Sequence, residues 1–302
     1  MFYSDLVTAV NDYVENNFPT ADLNRMIEQT EQRIYNSVQI QELRKNVTGT
    51  LTAGNQYLAA PFDFLSTYSL AIYPATGTTG NFQYLINKDV NYIREAYPNP
   101  NSTGQPKYYA IFGPNSTNMN ELTFIVGPTP DSAYNAELHY FYYPDSIIQA
   151  AISSISIGNG GSGYTNGTYY NATLTGGTGN SASATIVVSG GVVTSISLVD
   201  KGCYFVVGDQ LTCSAIGSGT GFYATVNAIT NAGGETWLGD NFDSALLNGT
   251  LYEAITYIKG EQDMVALYKS RYVESITLLK NLGDGKQRGD AYRDGQVKVQ
   301  VS

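Results

Sequence analysis

Charged residues are scarce in this sequence, and positive charge is scarcer than negative charge. Only 14% of the 302 residues are charged, and the formal net charge is −10 at pH 7. No basic stripe is present, which argues against tight nucleic-acid binding through neutralised phosphates. An acidic wall would still let DNA slide past it, because it does not grip the phosphates. The charge alone does not separate that role from ordinary solubility.

Histidine and cysteine are also scarce, which limits the chemistry that the chain can perform. The sequence has one histidine, His139, and two cysteines, Cys203 and Cys213. A zinc site needs several such ligands at suitable spacing, and no such set exists here. A serine triad would have to use His139, which we interpret as a sheet residue, and no G-x-S-x-G motif is present. We therefore predict no catalytic residue, no metal, no cofactor and no enzymatic activity.

Long apolar runs are missing as well. No stretch approaches the roughly 18 apolar residues that span a bilayer. The first residues, MFYSDLVTAV, lack the positive region and the long apolar run of a secretory signal. We expect a soluble protein made in a reducing cytosol with free thiols. Cys203 and Cys213 both lie in β-like segments, so a disulfide between them stays open at this point.

Tyrosine, in contrast, is abundant, with 25 copies against 11 of phenylalanine. Tyrosine provides large, rigid contact area with a polar tip, which suits surfaces buried against partner proteins. It also favours β-strands, so a strand-rich fold is an equal explanation.

The two ends of the chain have helical periodicity. Apolar residues recur at three- and four-residue spacing within residues 1–45 and again within 234–283. Gly260 is predicted to end the first helix of the C-terminal pair, because glycine tolerates the left-handed conformation found at helix ends. Together these segments provide four helices, which predicts a four-helix bundle closed by distant parts of the chain.

Between them the pattern changes to alternation. Residues 46–146 contain short alternating segments separated by proline and glycine, which predicts an antiparallel β-sandwich-like domain. Residues 88–97 interrupt it as one short helix. The fold class is therefore α+β, with the helical bundle, the β-sandwich-like domain, an inserted small β-domain and an extended C-terminal arm.

The insertion spans residues 147–233 and repeats internally. The segment SISI at 154–157 resembles SISL at 195–198, and ATIV at 184–187 resembles ATVN at 224–227. Two copies of a strand–turn–strand unit predict a β-domain with pseudo-twofold symmetry.

Residues 284–302 are predicted to form the extended arm. Gly283, Gly285 and Gly289 are expected to break any helix there. Val297 and Val299 then alternate with polar residues, which is typical of a strand. A strand without a partner in its own chain can add to a sheet edge of another protein.

Short segments along the chain form an ordered series. Near the C-terminus they are WLGDNFDSALL, KGEQDMVALYKSRY and GDGKQRGDAYRDGQV. Upstream they are LNRMIEQTEQ (23–32), GNQYLAAPFDFL (54–65), NKDVNYIREAY (87–97), GQPKYY (104–109) and GPTP (127–130). Over roughly 1–146 and 235–297 the series resembles the head-to-tail connector adaptors of short-tailed bacteriophages, also described as gatekeeper or upper tail-tube proteins. The inserted β-repeat departs from that family pattern.

The resemblance implies a structural virion protein assembled in the host cytoplasm. It implies a homododecameric ring that joins the portal protein to the tail nozzle protein. The ring would enclose part of the DNA ejection channel, through which DNA passes without sequence-specific binding, and no membrane would be involved. We expect the arm to contact the portal, with Tyr292 as the buried anchor. The predicted portal-binding residues are Arg288, Asp290, Tyr292, Arg293, Asp294, Val297 and Val299.

Two other functions stay open at this stage. The insertion could make the protein a tail-associated glycan-binding or host-contact protein, with aromatic residues as stacking platforms. Those aromatic residues are Tyr164, Tyr169, Tyr170, Tyr204, Phe205, Phe222 and Tyr223. A hydrolase would need a carboxylate pair such as Asp240 with Asp243, or Asp290 with Asp294, at a separation that sequence does not give.

Overall fold

Helices lie towards both ends of the chain and strands fill its middle in a computed structural model, which describes residues 1–75, 81–113 and 122–291. This mixed arrangement confirms the α+β class. The chain divides into two units: Gln39–Pro144 forms one, and Met1–Val38 together with the chain from Asp145 onward forms the other. The helices of both ends therefore share a unit with the insertion.

The helices are α1 (Tyr3–Val14), α2 (Thr20–Ser37), α3 (Val90–Ala96), α4 (Trp237–Asn241), α5 (Asp243–Tyr257) and α6 (Gln262–Ala291). The predicted helical segments at both ends are confirmed. After α5, the residue in the left-handed conformation is Lys259, with a φ of 54°, and not the predicted Gly260. Gly260 instead donates its N–H to the carbonyl oxygen of Ile255 at 2.9 Å, which satisfies one of the last helical carbonyls.

The unit Gln39–Pro144 is built from two four-stranded sheets, with orders β1-β10-β3-β4 and β2-β8-β7-β5, and a short parallel pair, β6-β9. Its strands are β1 (Arg44–Leu51), β2 (Tyr57–Ala59), β3 (Phe64–Pro74), β4 (Gln83–Tyr84), β5 (Ile86–Asn87), β6 (Thr103–Gly104), β7 (Tyr108–Phe112), β8 (Thr123–Gly127), β9 (Thr129–Pro130) and β10 (Tyr134–Tyr142). The fully buried Phe124 packs edge-on against Phe64, with ring centroids 5.5 Å apart. The predicted sandwich-like arrangement fits this unit, and α3 is the predicted short helix.

The insertion forms two three-stranded sheets, with orders β11-β16-β15 and β12-β13-β14. Its strands are β11 (Ala151–Ser162), β12 (Gly167–Thr173), β13 (Asn180–Ser189), β14 (Val192–Cys203), β15 (Gln210–Leu211) and β16 (Thr220–Thr230). Apolar side chains from both sheets share one buried core, in which Ile186, Val226 and Phe205 take part.

The two sequence repeats exchange strands in this fold. Ile155, in the first repeat, pairs with Val226 of the second, and Ile196, in the second repeat, pairs with Ile186 of the first. Each sheet therefore takes one long edge strand from one repeat and its other two strands from the other repeat. The strand orders of the two sheets correspond, and neither repeat completes a sheet by itself.

The predicted four-helix bundle is not what the structure shows. Helix α5 contacts α1, α2, α4 and α6, so it lies at the centre of the helices instead of forming one corner of a bundle. Helix α2 also packs against β13 and β14 of the insertion. The physical reason is that α5 is buried on several sides, and its buried residues are Ala245, Leu246, Gly249, Thr250, Leu251, Ala254 and Ile255. A helix with buried residues on several sides must be covered by several neighbouring elements.

Gly249 is a point of close approach between α2, α5 and α6. A Cβ atom added at this glycine would lie 2.9 Å from Cε2 of Tyr272 in α6 and closer still to Cγ2 of Thr30 in α2. The missing side chain therefore allows the two neighbouring helices to pack directly on the backbone of α5.

We predict that Gly249→Ala destabilises the protein. Alanine in a helix interior normally stabilises by about 1 kcal/mol relative to glycine. Here the overlap with Thr30 and Tyr272 should outweigh that gain and lower the free energy of unfolding by about 1–2 kcal/mol, as overpacked cores do. Urea denaturation followed by circular dichroism measures the change. Gly233→Ala is the control, because nothing lies within 4 Å of a Cβ at that position; equal stability of the two variants would contradict the prediction.

Candidate functional site

The C-terminal helix continues further than the sequence predicts. Helix α6 extends to Ala291, so Gly283, Gly285 and Gly289 do not interrupt it. Each glycine costs a helix about 1 kcal/mol, but the intervening Lys, Gln and Arg residues are good helix formers. The predicted extended arm, residues 284–302, therefore does not include residues 284–291.

This correction divides the predicted portal-binding residues into two groups. Arg288 and Asp290 lie on α6. The remaining predicted residues, Tyr292, Arg293, Asp294, Val297 and Val299, lie outside the described residues. Their strand conformation and their role in portal binding stay predictions.

The first half of α6 is held by α5. Tyr268 of α6 is buried, and the side-chain amide of Asn248 in α5 donates to the hydroxyl of Ser275 at 3.3 Å. Helix α2 is joined to α5 through an ion pair between Arg33 and Glu253. Any group that α6 carries is thus positioned through α5.

A buried carboxylate joins α2 to the start of the insertion. Glu31 is 3% exposed, and its Oε1 accepts a hydrogen bond from the N–H of Ile147 at 2.9 Å. Burial raises the pKa of the Glu31 carboxyl to about 7, although hydrogen bonds from Ser146 and Ile147 favour the charged form. Sequence patterns give no signal for this contact, because Glu31 has the spacing of a helix surface residue.

Asn231 connects the two ends of the insertion. Its side-chain nitrogen donates to the carbonyl oxygens of Ser146 at 2.7 Å and Glu235 at 3.0 Å. Its Oδ1 accepts from the N–H of Gly234 at 3.0 Å. The backbone of Asn231 has a φ of 45°, a conformation that asparagine tolerates better than most residues. One side chain therefore fixes both connections between the insertion and the rest of its unit.

A second set of contacts holds α1 and α2 against the end of β14. The Tyr3 hydroxyl donates to Oδ1 of Asn24 at 2.5 Å, and the ring centroids of Tyr3 and Tyr204 lie 5.7 Å apart. Burial raises the pKa of both the Tyr3 hydroxyl and the Cys203 thiol. Cys203 and Cys213 are both buried and both free. The thiol of Cys203 thus serves packing, because the reactive thiolate is disfavoured there.

The single histidine lies in a sheet, as predicted, and makes local contacts. In β10, His139 Nδ1 lies 3.1 Å from the Ser69 hydroxyl, and Nε2 lies 3.3 Å from Oε1 of Glu137. Within the part of the chain that the structure describes, no group of three or more His, Cys, Asp or Glu side chains could hold a metal ion. Among the same residues, no helix has the length and apolar character needed to cross a membrane.

The aromatic residues considered as stacking platforms do not share one exposed surface. Phe205 and Phe222 are buried in the core of the insertion. Tyr164 packs edge-on against Phe222, and its hydroxyl accepts the Phe222 N–H at 3.1 Å. Tyr170 is the most exposed of these, at 78%, and Tyr204 is 38% exposed. Several of these rings therefore stabilise the insertion itself.

Most of these contacts hold elements of the fold in place. A sequence model of the SU10 adaptor protein family matches residues 1–172, which is more than half of the 302 residues. The chain therefore belongs to this family of phage adaptors. No curated protein matches the chain.

Family membership confirms the predicted resemblance in its coarse form. The protein is a phage structural adaptor, a virion component that interacts with other virion proteins. The match includes α1, α2, the unit Gln39–Pro144 and the start of the insertion. It does not include the C-terminal helices, on which part of the predicted resemblance depended.

We predict that Glu31→Gln makes the stability of the protein less sensitive to pH. Because the folded-state pKa is raised from 4.5 to about 7, the stabilisation by the protonated carboxyl is complete below pH 4.5 and is lost as the pH rises through about 7. Glutamine keeps an acceptor for the Ile147 N–H without the charge. The variant should therefore gain stability over the wild type at pH 8, by up to about 3 kcal/mol.

Urea denaturation of both proteins at pH 5 and pH 8 measures this effect. Glu261→Gln is the matched control, because Glu261 is exposed just before the start of α6. The interpretation of Glu31 is wrong if its variant shows the same loss of stability between the two pH values as the wild type.

Proposed function

We propose that the protein forms a homododecameric ring that joins the portal protein to the tail nozzle protein and is assembled in the host cytoplasm. The ring encloses part of the DNA ejection channel, and DNA passes through it without sequence-specific binding. Membership of the SU10 adaptor protein family carries this proposal. The net charge of −10 also supports it, since an acidic wall does not hold phosphates. The role is structural, with no catalytic step.

In this proposal the residues that follow the C-terminal end of α6 are the portal-docking element. Helix α6 has 30 residues, and at a rise of about 1.5 Å per residue it is about 45 Å long. Up to residue 283, where the description of side-chain burial ends, Leu279 is the buried large apolar side chain nearest the C-terminus of the helix. Arg288 therefore lies about 14 Å further along the helix axis. Such a helix can carry the residues that follow it towards a partner.

The residues after the helix provide the specific contact. Tyr292 is the anchor that a portal pocket buries, and Arg293 with Asp294 orients it. Val297 and Val299 pair with a sheet edge by strand addition. Tyrosine and arginine are among the residues that most often dominate binding energy at interfaces.

We predict that truncation of the C-terminus abolishes portal binding without unfolding the protein. Deletion of residues 292–302 removes the proposed contact and leaves α6 intact. Deletion of residues 285–302 also removes the end of the helix, but Tyr268, Ile276 and Leu279 keep their packing. Circular dichroism should show folded protein in both cases, and cosedimentation with portal rings should show no complex.

The truncations separate two forms of the proposal. Loss of binding only in the longer deletion would move the contact to the end of α6, where Arg288 and Asp290 lie. Unchanged affinity of both truncated proteins would rule out the arm as the docking element. Tyr170→Ala is the control, because it removes an exposed tyrosine from β12, away from the C-terminus. It should bind portal rings as the wild type does.

A glycan-binding or host-binding role of the insertion is the second proposal, and a cleft favours it. The cleft has a volume of about 650 Å³ and is lined by hydroxyl, amide and aromatic groups. The lining residues include Thr168, Tyr170, Asn171, Thr173, Thr175 and Ser214. An exposed ring beside several hydrogen-bonding groups is a suitable surface for a sugar.

We predict that any glycan binding depends on Tyr170. The full chain and Tyr170→Ala are compared on a glycan array and on host cells. Binding by the wild type and at least about tenfold weaker binding by the variant would support this role. Tyr257→Ala, which removes an exposed tyrosine of α5, is the matched control. If the Tyr170→Ala variant bound glycan as well as the wild type, the cleft would be excluded as the binding site.

A further inference from the structure

Helix α6 carries two parallel seams of side chains, and only one of them is used in the described fold. The first seam packs on α5 and consists of Val265, Tyr268, Tyr272, Ser275 and Leu279, which are buried or half-buried. The second seam lies one residue earlier at each step. It consists of Met264, Leu267, Arg271, Glu274, Leu278 and Asn281, all of which are exposed.

The second seam has the spacing of a coiled coil. Its members alternate between three- and four-residue steps, which is the a/d pattern of the heptad repeat. Leu267 is 42% exposed and Leu278 is 55% exposed. Two solvent-exposed leucines at heptad positions indicate that another helix can pack along this face.

The order of residue types in the seam is self-complementary. When two copies of α6 run antiparallel about a twofold axis between positions 272 and 273, Leu267 faces Leu278 of the other copy. In the same arrangement Arg271 faces Glu274 of the other copy. A parallel pair would place Arg271 against Arg271 and Glu274 against Glu274, which is repulsive. The charges therefore select an antiparallel second copy of this chain.

The two charged residues are available for this contact. Glu274 has no ion pair among the residues that the structure describes. The guanidinium carbon of Arg271 lies 5.6 Å from the ring centroid of Tyr268, at the border between the two seams. Arg271 is thus held beside the face on which the opposing carboxylate would arrive.

We propose that the free chain forms a twofold dimer through the second seam of α6. A twofold interface closes on itself, whereas a ring is built from head-to-tail interfaces. The dimer is therefore a form of the free chain that is distinct from the ring proposed above. The seam covers residues 264–281, about 26 Å of helix. An interface of that length is small, so the dissociation constant should be on the order of 10 µM.

Charge reversal in the full-length protein tests this dimer. Arg271→Glu places two negative residues in each seam, and Glu274→Arg places two positive residues there. Each variant alone should dimerise at least about tenfold more weakly than the wild type, because both contacts across the axis become repulsive. An equimolar mixture of the two variants should form heterodimers, and the double variant R271E/E274R should recover wild-type dimerisation. Sedimentation equilibrium measures each sample.

The same helix provides the control. Lys269→Glu and Lys280→Glu reverse charges on the opposite face of α6 and should leave the dimer unchanged. A wild-type chain that stays monomeric at about 100 µM would overturn the proposal. So would single variants that dimerise as well as the wild type, since the contact would then lie elsewhere. Circular dichroism verifies that each variant is folded.

Discussion

The burial of α5 is the constraint on which the helical part of this protein depends. The helix is surrounded by α1, α2, α4 and α6, and at Gly249 its neighbours reach its backbone. Segments from the two ends of the chain are thereby joined in one unit. Because α6 packs on α5 along its first half, the position of every later residue on α6 follows from this central packing.

A second constraint fixes the insertion to the helices. Glu31 binds the first residues of the insertion, and Asn231 binds both of its ends. Arg25 of α2 also lies 3.7 Å from a carboxylate oxygen of Asp200 in β14. The insertion is therefore attached along α2 and not only through its two connections to the chain.

Sequence patterns predicted the secondary-structure elements well and the contacts between those elements poorly. Alternation and proline–glycine punctuation indicated the strands of residues 46–146, and helical spacing indicated α1, α2 and α5. The prediction of a four-helix bundle was wrong because α5 is buried on several sides. Periodicity describes the apolar face of each helix alone and does not show how many neighbours a helix has. The end of α6 was misplaced because a glycine weakens a helix by only about 1 kcal/mol and does not by itself end it, as Gly285 and Gly289 show. Repeats revealed the paired strands of the insertion but not that the repeats exchange them, since pairing depends on contacts distant in sequence.

The length of α6 allows it to serve separate purposes in succession. Its first seam packs on α5, and its second seam, over residues 264–281, is exposed beside that contact. The portal contact proposed here follows the end of α6 at Ala291, beyond both seams. A side-chain substitution in one of these regions can therefore leave the other contacts intact. The backbone hydrogen bonds of the helix keep the regions at fixed distances along its axis. An adaptor that joins two other proteins needs separate contact surfaces at different positions. A long helix with one anchored face provides such positions along its length with few residues.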